Sequence, residues 1–373
     1  MRISIGRRER VAEWLAAEKC DALVSVSSGF HSFLEPNTVF VLSDVKPMAP
    51  SAVIVRRDAT AALIITPDWD RRRAEAASST ETTIGAVDLV EALAGALKRE
   101  GLRAERIAID GVSLLPLALS ERLHQVLGAR ARVHDGLIRH IARCRSNDEL
   151  ERAQKATWIA ERGYRRLLEV ARPGVREYEL AGDIYCHMKA LGGDDNFLLM
   201  SASQHNHAVR AAGSRVLEEG DIILAEITPS FEGQFVQICR TVAIGSGPPA
   251  YDEKFAILQD SMRRGQKAAV PGATLAEVTE VMNGSLREAG YGEYCRPPYM
   301  RVRGHGLGLT SNLPGDVDAS NKTVLEEGMV FVMHPNQYIP ETGYLMCGEP
   351  VVVTPEGARA LSAESARPDR IAL

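Results

Sequence analysis

The sequence of 373 residues predicts an α/β domain followed by an α+β domain that repeats itself about a pseudo-two-fold axis. Two observations carry this. Short apolar runs alternate with helical periodicity up to about residue 140, and beyond it one order of helices and strands occurs twice.

In the first part, residues 8–18 have helical spacing of apolar positions, and Asp21–Ser27 (DALVSVS) follows as an apolar run of strand length. Further strand-like runs stand at 51–56 (SAVIVR), 61–66 (AALIIT) and 106–110 (RIAID), with helical patterns at 87–100 and 116–127. Strands separated by helices favour a layered α/β sheet. The character changes at 143–150 (RCRSNDEL), where Ser146 and Glu149 have the spacing of a capping box. They open a long amphipathic helix that stops at Pro173-Gly174, which places the domain boundary within 138–145.

In the second part, residues 171–180 (ARPGVREYEL) resemble residues 269–278 (AVPGATLAEV), and each segment follows one helix and opens another. A Gly-led apolar strand comes next in each half, Gly220–Glu226 and Gly328–His334, and then a second strand, Phe235–Ile244 and Tyr344–Thr354. Pro-Gly after a helix is common, so the matching order of four elements carries the repeat. One constant offset separates Glu226 from His334 and Cys239 from Cys347. Paired polar residues ending apolar strands point to a site at the symmetry axis.

The composition narrows the class. A net charge of -5 argues against a nucleic-acid or anionic-membrane partner, which needs a concentrated basic surface. No apolar run approaches the roughly 18 residues of a membrane span, and the first twenty residues lack the apolar core of a signal peptide. The six cysteines show no CxxC spacing, which argues for free thiols rather than a zinc cage or a disulfide framework. A cytoplasmic location is the expectation.

Four ordered motifs resemble the creatinase/prolidase/aminopeptidase P (pita-bread) superfamily. They are the hairpin from Gly220-Asp221 through Glu226 to Arg240-Thr241, the loop 304–309 (GHGLGL), the strand 325–335 (LEEGMVFVMHP) and the closing segment 348–357 (GEPVVVTPEG). The resemblance implies an N-terminal α/β domain of the creatinase/prolidase type over 1–140 and a pita-bread catalytic domain over 141–373. It also implies a homodimer whose N-terminal domain approaches the partner's active site.

Metallopeptidases of that superfamily hold two divalent ions with Asp, Asp, His, Glu and Glu. The matching positions here are Glu226, Gln237, His305, His334 and either Gly348 or Glu349. A two-metal site neutralises its ions mainly with carboxylates, and Gln237 and His334 each remove one. The expectation is therefore no cofactor and no metal. A single ion on Glu226, His305, His334 and Glu349 is the alternative.

The chain so resembles creatinase, which keeps the fold without metals. The catalytic set implied is His207 (with His205 as its near alternative), Glu226, His305, His334 and Glu349. Glu349 has a second reading as a structural partner of Arg240 or Arg303. Gln237, Cys239, Phe30, His31 and Arg303 are candidates for substrate contact. The expected activity is metal-independent hydrolysis of a non-peptide C–N bond (an amide, amidine or cyclic amidine) in a small nitrogenous metabolite. The alternatives are an Xaa-Pro-type metallopeptidase with a remodelled single-metal site, and a lyase on the same fold.

Overall fold

In a computed structural model of the chain, which describes residues 3–29, 32–35, 37–128, 131–134 and 136–373, two compact units divide between Arg143 and Cys144. Among the described residues the first unit holds helices α1 (Ile3–Ala17), α2 (Thr38–Ser43), α3 (Arg71–Ala77), α4 (Leu89–Arg99), α5 (Leu117–Leu127) and α6 (Leu137–Ile141). Its strands are β1 (Ala22–Ser27), β2 (Ser51–Arg56), β3 (Ala61–Ile65), β4 (Thr82–Gly85), β5 (Ile107–Asp110) and β6 (Arg132–Val133), in the sheet order β4-β3-β2-β1-β5-β6. The β1–β2 and β2–β3 pairs are antiparallel and the outer pairs parallel, so the sheet is mixed. Every residue of β1 and β3 is buried. That is why those strands read as unbroken apolar runs rather than as alternation.

The second unit opens with α7 (Asn147–Val170). Ser146 Oγ accepts from the Glu149 amide at 3.4 Å and the Glu149 carboxylate accepts from the Ser146 amide at 3.0 Å, closing the capping box. Next come α8 (Glu177–Ala190), β7 (Asn196–Ser203), β8 (Ile222–Phe231), β9 (Gln234–Phe235) and β10 (Ile238–Ile244). The second half repeats the plan with α9 (Tyr251–Ala268), α10 (Leu275–Glu288), β11 (Gly304–Gly306), β12 (Val330–Met333), β13 (Gln337–Ile339), β14 (Gly343–Leu345), β15 (Glu349–Thr354) and β16 (Gly357–Ala360), and β17 (Asp369–Ile371) closes the chain.

Each half builds its own antiparallel ladder, β10-β8-β7 in one and β11-β12-β15-β16 in the other. Among the described residues two bridges join the halves: Cys239 with Gly348, through backbone bonds of 3.0 and 3.1 Å, and Phe235 with Gly308, through bonds of 2.6 and 2.9 Å. The helix pairs cover one face. Ile159, Leu167 and Ile184 of α7 and α8 pack on Ile223 and Ile227 of β8, while Phe255, Met262 and Met282 of α9 and α10 pack on Phe331, Met333 and Val351. The uninterrupted strands read in the sequence at 235–244 and 344–354 are each broken in the structure. The breaks fall at Val236-Gln237 and at 346–348, where the sheet meets the axis.

Candidate functional site

The sheet aligns residues from both halves in one cross-strand row. Leu199 pairs with Glu226, Glu226 with Cys239, and Cys239 with Gly348. Met333 pairs with Glu349, so the next step of that register sets His334 opposite Gly348. The His334 amide then donates to the Arg303 carbonyl at 2.9 Å. Because Cys239 directs both backbone bonds to Gly348, it faces Glu226 as a non-hydrogen-bonded pair, the closer kind, in which side chains approach most nearly. Gln237 joins from the break in its strand: its Nε2 donates to Cys239 Sγ at 3.4 Å and its Oε1 accepts from Thr228 Oγ1 at 3.2 Å. His305 meets His334 edge to face, with ring centroids 5.3 Å apart.

Burial sets the electrostatics. Glu226 keeps partial exposure, and desolvation, opposed by the nearby Arg301 charge, pushes its carboxyl up to about 7. The Cys239 thiol is fully buried and is held well above its ordinary value, first by burial and then by the Glu226 charge. Burial lowers both imidazoles, His334 well below its ordinary value with His305 adding to the effect. The His305 Nδ1 lies 3.0 Å from the Gly306 carbonyl, which can only accept, so this nitrogen carries the proton. His334 Nδ1 is buried without a hydrogen-bond partner among the described residues. The site thus holds a carboxyl group able to change charge near neutral pH beside two neutral imidazoles.

The other expected site residues lie elsewhere. His207 is exposed; it stacks on Tyr338 at 5.4 Å and meets His205 at 5.5 Å, while His205 Nε2 lies 3.2 Å from the Tyr338 hydroxyl. This cluster is tied to the site's hairpin by the Tyr344 amide, which donates to the Asn206 carbonyl at 2.6 Å.

The expectation of Glu349 in the catalytic set is corrected by its position. It follows Gly348 and so projects from the opposite face of the strand. There it pairs with Arg240 at 3.1 Å and accepts from the Ala366 amide at 2.6 Å and from Ser362 Oγ. Arg303 is likewise enclosed rather than presented to a ligand, with its side chain fully buried. Phe30 and His31 lie outside the described residues.

The sequence reading missed Tyr344 and Arg301. The Tyr344 phenol is held above its ordinary value by burial and next by the Glu226 charge, and the Arg301 charge reaches Glu226, His305 and His334. Tyr344 stands on the hairpin leading to Gly348, which is a signal available in the sequence. Arg301 is two residues ahead of Arg303 and carried no separate mark.

A helix-flanked pair of half-sheets joined across an axis, with polar residues of both halves on one row, defines the pita-bread fold. The chain belongs to metallopeptidase family M24, whose model matches residues 151–355, and a creatinase/prolidase N-terminal domain model matches residues 7–145. Among its relatives is an Xaa-Pro dipeptidase of Pyrococcus furiosus, 29% identical over 231 residues; the match spans 61% of this chain and 65% of that protein. An Xaa-Pro dipeptidase of Pyrococcus horikoshii is 24% identical over 358 residues, 95% of this chain and 96% of the relative. The crystal structure of the prolidase from Pyrococcus horikoshii OT3 superposes with a TM-score of 0.83 at 23% identity, covering 97% of this chain and 99% of that one. A solved Xaa-Pro dipeptidase from Bacillus anthracis gives 0.84 at 21% identity, covering 98% and 99%.

These likenesses correct the expected activity. The relatives are named for peptide-bond cleavage, which overturns the expectation of a metal-independent, creatinase-like hydrolase of non-peptide C–N bonds. Among the described residues no helix is long and apolar enough to cross a membrane.

The family implies a two-metal centre, and the side chains present do not fit one. Gln237 is neutral, with its amide engaged by Thr228 and Cys239. Of the two candidates for the fifth ligand position, Gly348 is the one on this face, and even a Cβ there would come within 2.6 Å of Cys239 Cβ and Sγ and 3.0 Å of His334 Cβ. The room for a carboxylate there is filled. The single-ion set of Glu226, His305, His334 and Glu349 is not assembled either, because Glu349 faces away. Among the described residues no three His, Cys, Asp or Glu side chains are grouped to hold a metal ion.

Proposed function

We propose that the chain hydrolyses an amide bond in short peptides of the Xaa-Pro kind, with Glu226 as its acid–base group. The observation that carries this reading is the placement of Glu226 on one cross-strand row with Cys239 and His334, at the position that the family resemblance gives to a first metal ligand. The names of the two Xaa-Pro dipeptidase relatives, one of them matched over 95% of this chain, support the peptide substrate.

The Glu226 carboxylate accepts a proton from water as the water oxygen attacks the peptide carbonyl carbon. It returns the proton to the departing nitrogen as the C–N bond breaks, leaving a carboxylic acid and an amine. A carboxyl that titrates near 7 suits both transfers. The Tyr344 phenol and the His334 imidazole donate to the carbonyl oxygen as charge develops on it. No step is routed through a metal, because the donor set does not fit one.

A homodimer accompanies this reading. Light scattering on the purified chain tests it: a mass of two chains is expected, and a monomer with full activity removes the dimer.

The main test is hydrolysis of a set of Xaa-Pro dipeptides by purified protein, with chelator and with added manganese or zinc. Cleavage that is lost in Glu226→Gln is expected, with the chelator and metal arms reading whether an ion takes part. Cleavage that appears only with added metal overturns the role given to Glu226, and no cleavage in any arm overturns the peptide substrate.

A further inference from the structure

The reverse face of the axis holds a cavity of about 400 Å³ that the reaction above does not use. Cys347 and Glu349 line it; they flank Gly348 along the chain, so their side chains leave on the side opposite the site. Helix α9 supplies the facing wall, where Gln259, Met262, Arg263 and Gln266 share the spacing of one helix face. Ser365 and Ala366, beyond β16, close another side. The space falls within the roughly 300–1,000 Å³ of small-molecule sites.

The walls are fixed in place. Gln259 Nε2 donates to the Ala366 carbonyl at 3.0 Å, and the Ala366 amide donates to Glu349 at 2.6 Å. The Ala363 and Glu364 amides donate to the Glu161 carboxylate at 2.6 and 2.9 Å. A segment tied down in this way does not fold into the space, so the cavity is preformed.

Its two ends differ in chemistry. At the inner end Arg240 answers the Glu349 charge at 3.1 Å, so the carboxylate does not repel an anion. Burial holds the Cys347 thiol above its ordinary value, so it stays protonated and adds to the apolar lining of Met262 and Ala366. At the outer end the Arg263 side chain is 73% exposed and pairs with Asp260 at 3.1 Å. Asp260 divides its carboxylate, pairing with Arg264 at 2.7 Å and accepting from Ser285 Oγ at 2.9 Å. An exposed, shared pair of this kind is worth little and leaves Arg263 able to turn to a ligand. Gln266, three residues on, adds an amide to the same wall.

We propose that this cavity is a second ligand site, separate from the row of Glu226 and His334, that takes a small monocarboxylate with an apolar body. The carboxylate meets Arg263 and Gln266, and the apolar body lies over Met262, Ala366 and Cys347. The occupant also bears on the axis from behind. The Cys347 amide donates to Asn336 Oδ1 at 2.9 Å, and Gly348 exchanges both backbone bonds with Cys239, so a ligand against Cys347 steadies the crossing of the two halves. None of this depends on which bond the site in front cleaves.

Calorimetric titration of the full chain with hexanoate, and with hexanol as its uncharged counterpart, tests the site. Hexanoate is expected to bind at millimolar concentration and hexanol more weakly. Arg263→Gln should weaken hexanoate about tenfold, the loss typical of one charge-assisted hydrogen bond. Ala256→Trp, at the exposed rim of the cavity, should abolish binding by covering the mouth. Both substitutions stand on the solvent side of α9, and an unchanged circular dichroism spectrum checks the fold. Hydrogen exchange should slow at 346–349 and 363–366 when hexanoate is present. No hexanoate binding, or slowing confined to other segments, overturns the site. Binding unchanged in Ala256→Trp removes its location, and hexanol bound as tightly as hexanoate, or no loss in Arg263→Gln, removes the carboxylate.

Discussion

The two faces of the sheet at the axis treat charge in opposite ways. On the reverse face, Glu349 is 3% exposed and satisfied: Arg240, the Ala366 amide and Ser362 take up its oxygens, and Arg240 also donates to the Gly348 carbonyl at 2.7 Å. On the site face, one residue away along the same strand, Gly348 offers no side chain, His334 Nδ1 has no partner among the described residues and Glu226 is desolvated with only the Arg301 charge to offset it. A buried ion pair with its remaining lone pairs filled holds a fold together, and breaking it leaves a stranded charge. Polar groups left unsatisfied next door cost stability and are available to a ligand. The contrast teaches that the reverse face fixes the axis so that the site face can remain incomplete.

That contrast can be broken at several points. The largest effect is expected from Glu226→Gln, which removes the proton acceptor while keeping size and fold. Turnover should fall about 10²–10⁴-fold, with an unchanged far-ultraviolet circular dichroism spectrum. Glu349→Ala should act oppositely, leaving Arg240 buried and unpaired. A loss of about 3–5 kcal/mol in denaturant-measured stability is expected, and a loss under 1 kcal/mol would show that the pair does not hold the axis. Gly348→Ala should cost about 1–3 kcal/mol, since its Cβ would enter the space of Cys239.

The smallest effect concerns pH. Glu226 in the folded chain titrates near 7, above its ordinary 4.5, so the folded state holds this proton more tightly than the unfolded one. Its contribution to stability is therefore greatest below 4.5 and declines as pH rises through 7. Glu226→Gln should remove that decline and gain about 1–2 kcal/mol over the native chain at pH 8, the shift being discounted for partial exposure. Activity should run the other way, rising through an apparent pKa near 7 as the base form fills.

Much of the fold was legible because its signals are local. The capping box at Ser146 and Glu149 marks the start of α7, and the apolar runs at 51–56 and 61–66 mark two strands whose lengths hold to within a residue. The repeat was legible because the same order of elements returns in the sequence. The short β4 was missed because its half-exposed Thr82–Gly85 carries no apolar run. The site was legible only in part. Glu226, His305 and His334 end or flank apolar strands, a pattern that points to a face. Whether position 348 or 349 lies on that face depends on register at the axis. The bridge from Cys239 to Gly348 settles it, and no one-dimensional pattern reveals such a bridge. The enclosure of Arg303 comes from four acceptors spread over residues 283–337, which is tertiary information.

The fit between Cys239 and Gly348 bears on the order in which this site can be altered. Returning a carboxylate to position 348 in one step drives its first side-chain atom into Cys239. Opening position 239 alone leaves a void beside Glu226. The two positions are therefore strongly epistatic: either change alone is harmful and the pair together is tolerated, so their free energies will not add. Among single replacements the present arrangement behaves as a ratchet, and a library that varies 239 and 348 one at a time will not reach the alternatives that a joint library contains.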